Sequence, residues 1–259
     1  MKMAVPTGRS LRELKGRVAL VTGAGIRVGR AIAEELAGAG ANVAIHYSRS
    51  ERGAHATESA IRAAGNPRPK LFQADLREAD ASAGLVRDVV AWKGRLDILV
   101  CSAAAFDRRP FEDIDERAWR DMFALNLESP FRLAQAAAKS LRRHRGVIVN
   151  ILDVAAFQAW KGYAHYATSK AGLAMLTRIL ALEMAPRVRV CGVAPGTVAF
   201  PANYPAARRK EVVSRIPLGR VGKPSDIAGA VRYLSSANYV TGAVIPVDGG
   251  RMAGMRGTL

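Results

Sequence analysis

Residues 17–29 read Arg-Val-Ala-Leu-Val-Thr-Gly-Ala-Gly-Ile-Arg-Val-Gly, an apolar run that passes directly into Gly23, Gly25 and Gly29. From Val28 to Ala39 the apolar residues then recur at helical spacing. Glycines at a strand-to-helix turn let the backbone approach a pyrophosphate, which also gains from the dipole of the helix N-terminus. The spacing is not the G-x-G-x-x-G of the standard dinucleotide fingerprint. Position carries the argument instead: this is the first strand and first helix of an alternating chain, the place where a doubly wound sheet binds a nucleotide.

Outward from that turn the same rhythm continues. Arg17–Thr22, Asn42–His46, Lys70–Ala74, Leu96–Val100, Val147–Ile151, Val188–Val193 and Ala243–Val247 read as strands. Between them Val28–Ala39, Arg52–Ala64, Ala79–Lys93, Glu116–Leu141, Ala164–Ala185 and Ser225–Ser236 carry helical spacing. Strand-then-helix repetition predicts an α/β fold, a single doubly wound domain with a seven-stranded parallel sheet covered on both faces. No Ser/Gly/Pro-rich linker divides the chain. Residues 1–15 are expected as a tail and 16–259 as the domain, with a glycine-loop cofactor half at 16–105 and a catalytic half at 106–259. The stretch 196–222, with Pro201, Pro205 and Pro217, lacks clear core periodicity. Both a substrate loop over the ligand (about 197–222) and an ordinary surface excursion are open there.

The 259 residues are 49% hydrophobic, enough for a large core, and no run is long and apolar enough to cross a membrane. The N-terminus lacks an apolar signal core, so the cytoplasm is the default compartment. Cys101 and Cys191 lie in apolar runs and are expected as buried free thiols. No Cys/His cluster has metal-ligand spacing, so no metal is expected. A net charge of +17 raises the question of nucleic acid. The clusters at Arg108-Arg109, Arg142–Arg145 and Arg208–Lys210 are dispersed and not interleaved with aromatics, which points to solvated surface with a general attraction for anions.

After the second strand comes His46-Tyr47-Ser48-Arg49-Ser50, with no acid before Glu51. A carboxylate there would grip the ribose 2′-hydroxyl of NAD. Arg49, Ser48 and Ser50, with Arg27 in the glycine loop, suit a 2′-phosphate and favour NADP(H). Tyr166-Ala-Thr-Ser-Lys170 places a phenol and an ammonium one helical turn apart on a single face. A nearby cation stabilises phenolate and would lower the tyrosine pKa, giving a proton donor or acceptor for carbonyl–alcohol chemistry.

Thr22-Gly23, Gly29, Asn126, Tyr166-x3-Lys170, Pro195-Gly196 and Val247-Asp248-Gly249-Gly250 fall in an order and spacing that resembles the short-chain dehydrogenase/reductase family, over about Lys15 to Gly250. The resemblance implies a Rossmann-type domain, NAD(P)H-dependent hydride transfer and a homotetramer. Three departures are informative: Arg27 replaces the mid-loop glycine, Cys101-Ser102-Ala103-Ala104 replaces Asn-Asn-Ala-Gly, and Asp153 replaces the serine thirteen residues before the tyrosine. That combination looks like the pteridine reductase branch. By resemblance Tyr166 supplies a proton, Lys170 lowers its pKa and bonds the nicotinamide ribose, and Asp153 bonds Tyr166 or relays a proton. Asn126 supports a water that communicates with Lys170. Gly23, Arg27, Val28, Gly29, Ser102 and Ala103 line the cofactor, Asp75-Leu76 meets the adenine, and Pro195-Gly196-Thr197 lines the nicotinamide. Asp75 could equally cap the following helix. Arg27 and Phe106 would contact the pterin ring, Phe106 by stacking.

Asp153 has a separate physical case. A serine hydroxyl donates to a carbonyl oxygen as charge develops there. An ionised carboxylate repels that charge, yet it accepts from an amino-pyrimidine and, once protonated, relays a proton to a ring nitrogen. The reading is thus an NADPH-dependent pterin or folate reductase. The alternatives are a carbonyl reductase of 3-oxoacyl or polyol type and a catalytically silent NADPH-binding regulator.

Overall fold

Strands form where β-branched and aliphatic residues run together, and the computed structural model, which describes residues 13–200 and 205–254, places seven of them in one sheet. They are β1 (Val18–Val21), β2 (Asn42–Tyr47), β3 (Lys70–Gln73), β4 (Ile98–Cys101), β5 (Val147–Ile151), β6 (Arg189–Pro195) and β7 (Val244–Val247). The order is β3-β2-β1-β4-β5-β6-β7 and every neighbouring pair is parallel. The chain winds outward from β1 through β2 to β3, then crosses back to β4 on the other side of β1. Loops leaving β1 and β4 therefore diverge, and a crevice opens at their carboxyl ends.

Among the described residues there are eight α-helices: α1 (Arg27–Gly38), α2 (Glu51–Ala63), α3 (Ala81–Lys93), α4 (Glu116–Phe123), α5 (Ser129–His144), α6 (Ala164–Glu183), α7 (Ala206–Ser214) and α8 (Pro224–Ser236). Ala19 and Val21 of β1 pack with Ile32 and Leu36 of α1 and Val231 and Leu234 of α8. The alternate residues Val18 and Leu20 pack with Leu85 of α3 and Leu133 and Leu141 of α5. Covered on both sides, β1, β4 and β5 are buried at every position, which is why they read as unbroken apolar runs. Full burial of each such Val, Leu or Ile contributes about 1.5–3 kcal/mol, so the central strands hold the crevice rigidly.

Three sequence expectations change. The single helix expected over 116–141 is α4 and α5 separated by a π-helical turn, Ala124–Glu128. Leu14 is fully buried in the core and its N–H bonds Ala39 O (2.9 Å), which extends the ordered fold into the stretch expected as a tail. Part of the 196–222 segment is helix α7, which has no buried residue and so lacks an apolar stripe. Residues 1–12 of the expected tail and 201–204 of the expected substrate loop lie outside the described residues. No described helix is long and apolar enough to cross a membrane.

Candidate active site

The glycine loop is shaped by close backbone approach. A Cβ on Gly23 would come 2.9 Å from Ala103 Cα, and one on Gly29 would come 2.2 Å from Gly23 O. Thr22 Oγ1 accepts from Ser102 N (2.9 Å) and Ala103 N (3.0 Å), tying the end of β1 to the segment after β4. Arg27 has φ +51°, in the left-handed region, at the position where the family resemblance expects glycine. Holding a side chain there costs about 1–2 kcal/mol. Val28 is partly buried against the core.

The side chains of His46, Tyr47 and Leu76, expected beside the cofactor, are enclosed at 1%, 7% and 1% exposure. His46 Nδ1 accepts from Gly23 N (3.2 Å) and Nε2 lies 3.1 Å from Ala74 O. The first contact needs a lone pair and the second a proton, so one neutral tautomer satisfies both. Burial pushes the ring pKa down to about 4. Ser50 stands beside the loop, its Oγ 2.6 Å from where a Gly25 Cβ would be, and Ser48 O accepts from Gln73 Nε2 (3.2 Å). Arg49 is exposed. Asp75 does not cap α3; it takes a fork of bonds from Arg77 (Nε 3.0 Å, Nη2 2.6 Å), which holds its carboxyl below the usual range.

The catalytic side chains converge from other segments. Tyr166 lies in the first turns of α6, 4% exposed, and its hydroxyl donates to Asp153 Oδ2 (2.8 Å). Asp153 follows β5, and its Oδ1 accepts from Ala155 N (2.8 Å), capping a short 3-10 turn. Burial raises the Asp153 pKa, while the bonds from Ala155 and Tyr166 and the charges of Lys170 and Arg251 oppose the rise. Lys170, 2% exposed, donates to Ile151 O (2.9 Å), and burial pushes its pKa down to about 8. The expected lowering of the Tyr166 pKa is overturned. Burial first, then the Asp153 carboxylate, raises it well above the ordinary value, because the phenol's immediate partner is an anion.

Asn126 sits in the π-helical turn, 1% exposed, its Oδ1 accepting from Ala105 N (2.8 Å) and its Nδ2 donating to Ala105 O (3.0 Å) and Ser169 Oγ (3.2 Å). This amide braces the segment carrying Phe106 against α6. Phe106 is 61% exposed, stacked on Tyr163 (5.2 Å, 29°) and edge-on to Tyr166 (4.8 Å). It is an exposed ring beside Tyr166, not core. Gly196 N donates to Val247 O (3.0 Å), and a Cβ there would meet Asp248 Cα at 2.7 Å, which fixes Pro195-Gly196-Thr197 at the end of β6. Cys101 and Cys191 are buried and unbridged, and burial pushes the Cys101 thiol up to about 12. Sequence reasoning missed three side chains in this cluster: Tyr163 and Trp160, whose rings meet edge-on, and Arg251, whose guanidinium lies over the Trp160 ring. Tyr163, three residues before Tyr166, could have been found from helical spacing, whereas Arg251 arrives from the far end of the chain and has no such signal.

Comparison with known proteins follows the geometry. A family model described as enoyl-(acyl carrier protein) reductase matches residues 23–251. A 3-oxoacyl-[acyl-carrier-protein] reductase of Staphylococcus aureus is 36% identical over 238 residues, covering 90% of this chain and 96% of its own. A solved short-chain dehydrogenase/reductase from Serratia marcescens superposes with TM-score 0.88 at 36% identity, covering 93% of this chain and 99% of its own. A blue fluorescent protein from a metagenomic library, solved in complex with NADPH, gives TM-score 0.87 at 32% identity, covering 92% of this chain and 99% of its own.

Proposed function

This chain belongs to the short-chain dehydrogenase/reductase family, matched across residues 23–251, and from that premise we propose that it is an NADPH-dependent reductase of a pterin-type ring with Tyr166 as proton donor. The observation that carries the reading is the 2.8 Å bond from the Tyr166 hydroxyl to Asp153, where relatives of the common pattern have serine. Asp153 keeps the phenol protonated, which suits donation to a substrate and disfavours the phenolate needed to oxidise an alcohol. The exposed Phe106 ring beside Tyr166 offers a stacking face for a planar substrate.

The chain's residues fit NADPH. α1 begins at Arg27, its N-terminus directed at the glycine loop, and the cradle between Gly23, Gly29 and Ala103 admits only bare backbone. Arg27 and the exposed Arg49 supply cations for a 2′-phosphate, with no acid between β2 and Glu51. The complex of a similar protein with NADPH supports the same cofactor. When bound, the cofactor supplies a hydride to the substrate carbon. Tyr166 would give its proton to the adjacent ring nitrogen while Asp153 holds the phenol in line; the phenolate left behind is reprotonated by a proton taken up from solvent through the Asp153 carboxyl. Lys170, enclosed and bonded to Ile151 O, adds a positive charge that acts on Asp153.

The named relatives lend more support to a second reading, a carbonyl reductase of 3-oxoacyl type. Burial raises the Asp153 pKa, and a protonated Asp153 would donate to a carbonyl oxygen as serine does. Steady-state oxidation of NADPH with dihydrobiopterin, dihydrofolate and an acetoacetyl thioester separates them. Turnover of the pterins, abolished in Asp153→Ser, supports the first reading. Turnover of the thioester alone, retained in Asp153→Ser, replaces it with the second. Equal kcat/KM with NADH and NADPH would remove the cofactor assignment.

A further inference from the structure

His165 stands immediately before Tyr166 on α6, and its ring is fully enclosed. Neither of its nitrogens has a hydrogen-bond partner. Burial lowers its pKa against the pull of Asp107, so at neutral pH the ring is uncharged and carries a single N–H. Enclosing that N–H unbonded is costly, and the cost falls away once it reaches an acceptor. An acceptor stands just out of reach: Asp107 Oδ2 lies 3.9 Å from His165 Nε2, one residue after Phe106.

The segment 102–110 has no regular secondary structure and is fastened on either side of Phe106 and Asp107. Asn126 holds both the N–H and the C=O of Ala105 and also bonds Ser169 of α6. Arg109 N donates to Gly162 O (3.0 Å), in the turn that leads into α6. Gly162 has φ +84°, and a Cβ on it would meet Arg108 Nε at 3.3 Å, so this second fastening is closely fitted. Between the two, Phe106 lies edge-on to Tyr166 and Asp107 faces His165. Asp107 Oδ2 already accepts from Arg109 Nε (2.5 Å), and a carboxylate oxygen has a lone pair left for a second donor.

We propose that His165 is a positioning residue: its Nε2–H points at Asp107 Oδ2, and the two close into a hydrogen bond that holds the Phe106 ring beside Tyr166. An approach of about 1 Å brings the pair to bonding distance, with the Arg109 pair kept in place. His165 acts through Asp107 on where the Phe106 ring stands and makes no contact with substrate. The inference rests on the reading of Phe106 as a substrate contact, but two of its three tests need no substrate.

The NADPH complex, labelled isotopically at the histidine nitrogens, is read by NMR at neutral pH, and amide exchange is followed over 102–110. Wild-type His165 carries its proton on Nε2, and Asp107→Asn shifts the resonance of that nitrogen. His165→Leu speeds exchange over 102–110 about tenfold and leaves β4 and β5 unchanged, while His165→Gln, whose amide reaches the place of Nε2, restores part of the protection. With dihydrobiopterin as substrate, His165→Leu raises KM about tenfold and leaves kcat within about twofold. A proton on Nδ1, or an Nε2 resonance unmoved by Asp107→Asn, overturns the proposal whether or not the leucine variant folds. Exchange in His165→Leu that matches wild type overturns it too, as does exchange raised equally in β4 and β5, or a fall in kcat with KM unchanged. Failure of the wild type to turn over dihydrobiopterin would instead count against the pterin reading, leaving the histidine resonances and the exchange rates to decide His165.

Discussion

Around the glycine loop the groups that shape the site are backbone atoms and one enclosed, uncharged imidazole. Around Tyr166 they are ionisable side chains drawn from the ends of β5 and β7 and from α6. The first region tolerates almost no added atom, since Gly29 and Gly23 approach within the space of one methyl. The second tolerates change of shape but is poised by charge: Tyr166 and Lys170 are both enclosed, and each has a pKa displaced by burial. A cofactor common to many reactions needs a fixed cradle. A particular reaction needs protons placed, and protons are placed by electrostatics.

That contrast can be broken at its strongest point first. Tyr166→Phe keeps the ring and removes the donor, so kcat should fall about 10²–10⁴-fold with NADPH affinity unchanged in a fluorescence titration. In the cradle, Gly29→Ala forces a methyl against Gly23 O. It should cost about 3 kcal/mol in a denaturant melt, and NADPH binding should be lost with it.

The two regions should also fail at opposite ends of the pH scale. His46 has a folded pKa of about 4 against an ordinary 6.5, so the unfolded chain takes up the proton first. Stability therefore falls as pH drops through that window, by up to about 3 kcal/mol, and chemical melts between neutral and acid pH measure it. For Lys170 the folded value is about 8 against 10.5, so its ammonium is lost above about pH 8. kcat/KM should fall on that alkaline side about tenfold per unit as the cation disappears. Conformational stability moves the other way, rising with pH between those two values because the unfolded chain keeps its proton longer. A flat alkaline limb would remove Lys170's charge from the mechanism.

The smallest effect should come from Arg27→Gly. Relief of the φ +51° backbone is offset by glycine's entropy, so the melt should shift by no more than about 1 kcal/mol while NADPH binding weakens. Unchanged NADPH affinity would reduce Arg27 to a conformational curiosity of the loop.

Much of the cofactor side was legible because it is local. Alternation of apolar runs and amphipathic stretches is a consequence of burying strands on both faces, so β1 to β7 could be read directly. The glycines at 23, 25 and 29 mark backbone contact without any need for coordinates. The bond from Gly23 N to His46 Nδ1 was not legible, because side-chain direction at the end of an enclosed strand is not written in its composition.

On the catalytic side the sequence alone determined the identities that matter: Tyr166 and Lys170 one turn apart, and Asp153 where a serine is usual. Tertiary structure decided what those identities do. It paired the Tyr166 hydroxyl with Asp153 and turned Lys170 to Ile151 O, reversing the expected pKa shift. It broke the long helix with a π-helical turn so that Asn126 could brace Ala105. It also brought Arg251, 98 residues after Asp153, over the Trp160 ring and within electrostatic reach of Asp153. Spacing along a helix fixes which residues share a face. Which charge lies nearest to which, and how much water is excluded between them, depends on loops that meet only when the sheet is assembled.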